Sequence, residues 1–279
     1  MALEKILRQT YLDVQNLVNP PEPLVASDRH FLKALQASLL QPAVIAELKP
    51  HSPAAGPLAA MDYDPVTQAQ AYERGGAAAL SVLTEKHFFK GSWADLTKAR
   101  AATHLPVLCK DFIVDSRQVK WARHAGADAC LLIVAALDQA KLIALKALIE
   151  SYQMLAMIEV HTEAELDRAL TLNPAILLIN NRNLWDLSMH PETTARLLPL
   201  IPASIPVISA SGLRTIQEIS ALPARVQGVL IGSQLMQEKD PAAFLQALAL
   251  NLAKTHDTAQ KNEIDAGNRP VLDEKYPKN

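Results

Sequence analysis

The stretch VIAELK (Val44–Lys49) is an aliphatic run that stops at two charged side chains, Glu47 and Lys49. The same event recurs downstream. VLCK (Val107–Lys110) stops at Lys110, LAMIE (Leu155–Glu159) at Glu159, ILLIN (Ile176–Asn180) at Asn180 with Arg182 two residues on, and VISASG (Val207–Gly212) at Ser211 and Gly212. Runs of Val, Ile, Leu and Ala without clean polar alternation are what strands buried on both faces require. Eight are found, near 43–48, 78–84, 106–110, 128–134, 153–160, 175–180, 205–210 and 227–232, with helix-type segments between them. Strict strand–helix alternation implies parallel strands with right-handed crossovers, and eight such units close as a (β/α)8 TIM barrel of the α/β class. The carboxyl ends of all eight strands then open on one face, so groups distant in sequence meet in one mouth.

The helix starts carry their own signals. Asp64-Pro65 and Asp240-Pro241 place a capping carboxylate before a proline whose missing N–H costs nothing at the first helical position. Thr162 with Glu165, Thr215 with Glu218, and Ser92 with Asp95 have the spacing of a capping box or its aspartate variant. Leu142, Leu145 and Ile149 recur at the spacing of a helix laid against a sheet. Residues 1–40 precede the first strand and read as two helices, about 3–17 and 28–40, parted by the proline-rich NPPEP. This extension covers either the barrel's edge or its mouth. Residues 1–254 are read as one barrel domain including it, and 255–279 as a polar, loosely ordered tail.

A length of 279 residues with 49% hydrophobic and 5% aromatic content suits one large aliphatic core and excludes disordered and fibrous classes. The net charge of -2 lacks the one-sided basic field that nucleic acid or an anionic membrane surface attracts, so a small-molecule partner is expected, with neither nucleic acid nor membrane. The only cysteines, Cys109 and Cys130, sit in apolar runs and read as buried free thiols in a reducing compartment. The start, MALEKILRQTYLD, is charged and helical, and no apolar run approaches the roughly 18 residues of a membrane span. A cytoplasmic protein, monomeric or weakly dimeric, is expected.

Glu47 and Lys49 occupy alternate positions and so point the same way, as a structural ion pair or as site residues. A second lysine, Lys110, would add positive potential, lower lysine basicity and suit an anionic substrate. Glu159 follows apolar residues that offer it no local partner; facing the mouth, partial burial raises its pKa toward the range of a general acid or base, whereas pairing with a lysine makes it structural. INNRNL (Ile179–Leu184) supplies amides that orient and, in Arg182, a clamp for carboxylate or phosphate. Ser211-Gly212 after the seventh run and Gly232-Ser233 after the eighth stand where barrels often hold a phosphate on backbone N–H groups. Phe88, Phe89, Phe112 and Leu131 are core residues or the wall for an aromatic ligand. His51, His87 and His161 lie in separate loops without ligand spacing, so no metal is expected.

VIAELKPHSPAAG, LSVLTEKHFFKGS, PVLCKDFIVD, ADACLLIVAAL, MIEVHTEAEL, INNRNL and SASG together resemble indole-3-glycerol-phosphate synthase, the barrel enzyme of tryptophan biosynthesis, from about residue 30 to about 250. The resemblance implies a lyase (decarboxylase) acting without cofactor on phosphorylated 1-(2-carboxyphenylamino)-1-deoxyribulose 5-phosphate. It implies Lys110 as general acid, Glu159 as general base, Lys49 as a positioning group sharing acid work, and Glu47 and Asn180 as orienting groups. Arg182 and Ser211 would bind substrate, Ser52, Gly212, Gly232 and Ser233 its phosphate, and Phe89, Phe112 and Leu131 its aromatic ring. Three positions depart from the family's pattern. Ala210 replaces the glutamate of SESG, Pro50 follows Lys49 where KKASPS is usual, and Leu178 stands where glycine is common. Ala210 motivates a second reading, a family-related barrel with weakened or lost turnover acting as a phosphate-ligand binding or interaction protein; a sugar-phosphate isomerase is disfavoured by Lys110, Glu159 and INNRNL together.

Overall fold

The computed structural model describes residues 2–22, 24, 26–59 and 63–252; the expected tail at 255–279 lies outside the described residues. Eight strands form a closed barrel: β1 Ala43–Leu48, β2 Ala79–Leu83, β3 Val107–Lys110, β4 Ala129–Ile133, β5 Leu155–Val160, β6 Leu177–Asn180, β7 Val207–Ala210 and β8 Gly228–Ile231. Every neighbouring pair is parallel, and β1 closes the ring by pairing with β8 on one side and β2 on the other. Each strand falls inside the stretch expected for it. A two-residue hairpin, His51–Ser52 against Gly56–Pro57, adds to the first loop.

The strands lack polar alternation because both faces are buried, yet alternation survives as a choice between two cores. Ile45, Leu108, Leu131, Met157, Leu178, Ile208 and Leu230 fill the barrel interior. Val44, Leu48, Val82, Cys109, Leu132, Ile158 and Val229 face the helical layer, where Leu142, Leu145 and Ile149 meet them. Cys109 and Cys130 are both free and buried. Local chemistry starts the helices as the spacing suggests: Asp64 Oδ2 accepts from Thr67 N at 2.9 Å, Asp240 Oδ1 from Ala243 N at 3.0 Å, and Ser92 Oγ from Asp95 N at 3.0 Å. Thr215 and Glu218 close a full capping box, but Glu165 does not return the bond of Thr162; its carboxylate bonds His161 instead.

The extension serves both ends of the barrel. Helix α1 (Ala2–Gln15) leans over the mouth, its first N–H groups donating to Trp185 O at 2.8 Å and Leu184 O at 2.9 Å. The second helix, α2 (Phe31–Gln36), is shorter than the expected 28–40, because its C-cap Ala37 leads into the turn before β1. It sets Phe31 and Leu35 against Ala43 and Ala78 at the opposite, amino-terminal end. There Asp128 accepts Ser27 Oγ at 2.7 Å and Val107 N at 2.9 Å, tying the extension to the barrel floor.

The loop after β2 returns so closely that a side chain at Gly91 would run into the carbonyl of Leu83. Gly91→Ala is therefore expected to lower stability by about 1–3 kcal/mol, the usual cost of forced overpacking. The check is a shifted urea midpoint at unchanged slope.

Candidate active site

Strand register sets the site. Glu47 pairs with Ser81, Leu83 with Lys110, Ile133 with Glu159, and Asn180 with Ala210, so the last inward-facing residues of adjacent strands come to one level. Above them lies a cavity of about 400 Å³. It brings together Glu47, Lys49, Lys110, Glu159, Asn180 and Arg182, and it also meets Ser52, Ser211, Gly212, Gly232 and Ser233. Phe89 and Phe112 line it with ring centroids 6.0 Å apart. Leu131 does not reach it: at 0% exposure it belongs to the interior floor, and Ile133, the next inward residue of β4, takes the rim position. Phe88 packs with the interior core instead, its carbonyl accepting from His51 Nδ1 at 2.7 Å.

Glu47 and Lys49 form an ion pair, Oε2 to Nζ, at 3.1 Å, and Ser81 Oγ donates to Glu47 Oε1 at 3.3 Å. The pair occupies the space a side chain at 232 would need: a Cβ on Gly232 would overlap Glu47 Oε2 and come 3.1 Å from Lys49 Nζ. Glycine at the end of β8 is thus a condition for both charges to stand in the mouth.

Lys110 Nζ lies 3.6 Å from Glu159 Oε2. Burial works against the Lys110 charge, but the Glu159 and Glu47 carboxylates outweigh it and raise its pKa. This reverses the expectation that a second lysine would depress it, because each lysine has its own carboxylate. Glu159 likewise differs from the burial-only expectation. Burial pushes it up, yet Lys110, His161 and Asn180 together bring it down to about 2. Its two oxygens are unequal. Oε1 accepts Asn180 Nδ2 at 3.0 Å, while Oε2 is buried without a hydrogen-bond partner. Asn180 is itself fixed, its Oδ1 accepting Arg182 N at 3.0 Å.

On the other side of the mouth, Ser211 and Gly212 are both left-handed, with φ of 67° and 81°. Such backbone is rare for serine and is held here by Asn181 Nδ2, which donates to Ser211 O at 3.1 Å. Arg182 donates Nη1–H to Leu187 O at 2.7 Å, and burial followed by the nearby Arg214 guanidinium lowers its pKa. Arg214 and Ile6 line the cavity and were missed in the sequence. Arg214 stands in an exposed turn with no motif of its own, and the facing of Ile6 depends on where α1 docks.

Ala210 lies at the rim, 3% exposed, with no carboxylate of its own. Among the described residues, the charged groups lining the cavity are Lys49, Lys110, Arg182 and Arg214 against Glu47 and Glu159, four cations to two anions. The mouth is built for an anion. Among the described residues no group of three or more His, Cys, Asp or Glu could hold a metal ion.

Comparison with known proteins identifies the fold and the family. A solved structure, 3-hexulose-6-phosphate synthase from Salmonella typhimurium, shares the fold with a TM-score of 0.61 at 12% identity, over 76% of this chain and 99% of that one. Relatives named indole-3-glycerol phosphate synthase are far nearer in sequence. That of Acidithiobacillus ferrooxidans is 45% identical over 248 residues, covering 88% of this chain and 94% of its own. That of Polaromonas naphthalenivorans is 42% identical over 257 residues, covering 88% and 97%. With the indole-3-glycerol phosphate synthase family model matching residues 3–248, the chain belongs to that family.

Proposed function

We propose that Lys110 and Glu159 are the acid and base with which this chain, a carboxy-lyase of tryptophan biosynthesis, converts 1-(2-carboxyphenylamino)-1-deoxyribulose 5-phosphate to indole-3-glycerol phosphate, carbon dioxide and water. The observation that carries the assignment is an ammonium group and an unpartnered carboxylate oxygen 3.6 Å apart beneath a cation-rich mouth. In closure, the ring carbon bearing the carboxylate bonds to the sugar carbonyl carbon while Lys110 protonates the carbonyl oxygen. Carbon dioxide then leaves and its bonding electrons restore the aromatic ring. In dehydration the hydroxyl departs with a proton as water, and Glu159 Oε2 takes the proton from carbon. Two protons enter and one leaves, so the cycle draws one proton from solvent.

The remaining residues bind and orient. The substrate's phosphate and carboxylate suit the excess of two cations, with the phosphate held by Ser52, Gly212, Gly232 and Ser233, and Arg182 and Ser211 gripping the substrate beside it. Phe89 and Phe112, joined by Ile133, flank the aromatic ring. Lys49, held at 3.1 Å by Glu47, positions the substrate and shares acid work. Asn180 orients Glu159. These steps need acid, base and anion binding only, and no cofactor. A phosphorylated substrate together with two free, buried thiols supports a cytoplasmic location.

The purified chain incubated with the carboxyphenylamino substrate should produce indoleglycerol fluorescence, and Lys110→Met should abolish it; product no faster than in that variant would refute the assignment. Glu159→Gln, which keeps the shape and removes the base, should cut kcat by about 10²–10⁴-fold with little change in KM. A rise in KM alone would assign Glu159 to binding. Ala210→Glu places a carboxylate among surplus cations, and steady-state kinetics should show kcat rising severalfold while KM rises as the anion competes with substrate. An unchanged or lower kcat would mean that another group serves in its place.

A further inference from the structure

One buried titratable group beside the acid–base pair has no part in the steps above. His161 follows β5 directly, and its side chain is 10% exposed. Its Nδ1 lies 3.0 Å from Glu165 Oε2, the oxygen that also accepts the His161 backbone N–H at 2.8 Å. Its Nε2 lies 3.2 Å from Glu159 Oε1, a charged contact that does not complete a hydrogen bond. The ring is therefore suspended between a carboxylate of β5 and a carboxylate of the helix Glu163–Leu170.

The groups packed around it are otherwise accounted for. From the Thr193–Leu197 helix, Arg196 Nη2 donates to the His161 carbonyl at 3.4 Å and its other arm holds Glu163. Asn180 shares Glu159 Oε1, and Lys110 faces Oε2. A separate cavity of about 230 Å³ lies on this side, lined by His161, Glu165, Asn180, His190, Glu192 and Arg196. Burial alone would discharge the ring, but Glu159 and Glu165 outweigh it and raise its pKa to about 9.

We propose that His161, tethered by Glu165, is a positioning residue for the indole-forming reaction, holding Oε1 of Glu159 so that Oε2 alone is presented to substrate. This rests on the reading of Glu159 as the base. With Asn180 and His161 on Oε1, the oxygen nearest Lys110 is the one left with free acceptor capacity. The imidazolium has a second effect. An ammonium and a carboxylate this close in a poorly hydrated mouth can collapse into a neutral pair by proton transfer. A second cation behind the carboxylate favours the ionised state, so both partners start each cycle in the form the reaction needs.

The test is steady-state kinetics across pH on His161→Gln, Glu165→Gln, Glu159→Gln and the Glu159→Gln/His161→Gln double variant. His161→Gln should lower kcat about ten- to a hundredfold, part of what a positioned base contributes, with KM within about twofold. Removing the cation raises the Glu159 pKa, so the acid limb of kcat/KM should move to higher pH. Glu165→Gln should move the limb the same way by a smaller step, and serves alone if His161→Gln does not fold. Added to Glu159→Gln, the His161 substitution should cost little more, as two residues acting through one group are non-additive. Wild-type kcat in His161→Gln, or a lower kcat with the acid limb in place, overturns the proposal and leaves His161 structural. Wild-type kcat in Glu159→Gln overturns the base assignment instead.

Discussion

The closing seam, β1 paired to β8 on one side and β2 on the other, is the constraint on which everything else depends. Closure converts eight strand ends into one ring and fixes through register which side chains share a level. Because Ile45, Leu108, Leu131, Met157, Leu178, Ile208 and Leu230 fill the interior, the ring has a packed floor rather than a pore. Glu159 and Lys110 stand directly on that floor, which supplies the burial that makes their charges interact strongly. Leu178 fits this picture: it pairs with Glu159 in register and fills space a glycine would leave open.

Much of this was legible in the chain. Aliphatic runs without alternation gave the strands, and the reactive residues at their ends gave the catalytic candidates, since strand ends in a barrel can face only one mouth. Beyond Arg214 and Ile6, three things were not legible. Leu131 and Ile133 are both inward residues of β4, and only the depth of the strand decides which reaches the ligand. The pKa of Glu159 depends on which of burial, Lys110, His161 and Asn180 wins, and those partners come from two other strands and a loop. His161 lacks the spacing of a metal ligand, and its contact with Glu165, four residues on, appears only once the next helix is placed.

Ala210 stands where the resemblance to the family implies a glutamate. It lies at the mouth beside Asn180 and faces inward, so the difference from that expectation is one negative charge, not the architecture. The remaining anions are each committed, Glu47 to Lys49 and Glu159 to Lys110 and His161. Arg182 and Arg214 are left without a carboxylate partner among the cavity-lining residues. A substrate carrying both phosphate and carboxylate supplies the missing countercharge itself. Substrate binding therefore completes the electrostatic balance of the mouth, and the cost of holding cations together is relieved at the moment of binding.

A base held to a pKa of about 2 is a weak one, and that value would argue against Glu159 if it persisted through the reaction. With Lys110 as the proposed acid it does not persist, because the largest lowering contribution comes from Lys110, which gives up its charge in protonating the substrate. An opposite charge at this range lowers a carboxylate by about 1–3 units, so its discharge returns about that much basicity to Glu159. The increase arrives after the acid has acted, when the proton on carbon has to be removed. Asn180 holds Oε1 at 3.0 Å, so the regained basicity falls to Oε2. An acid and a base placed as an ion pair are, on the proposed roles, coupled in sequence: the base is weak until the acid gives up its proton, and that event strengthens it.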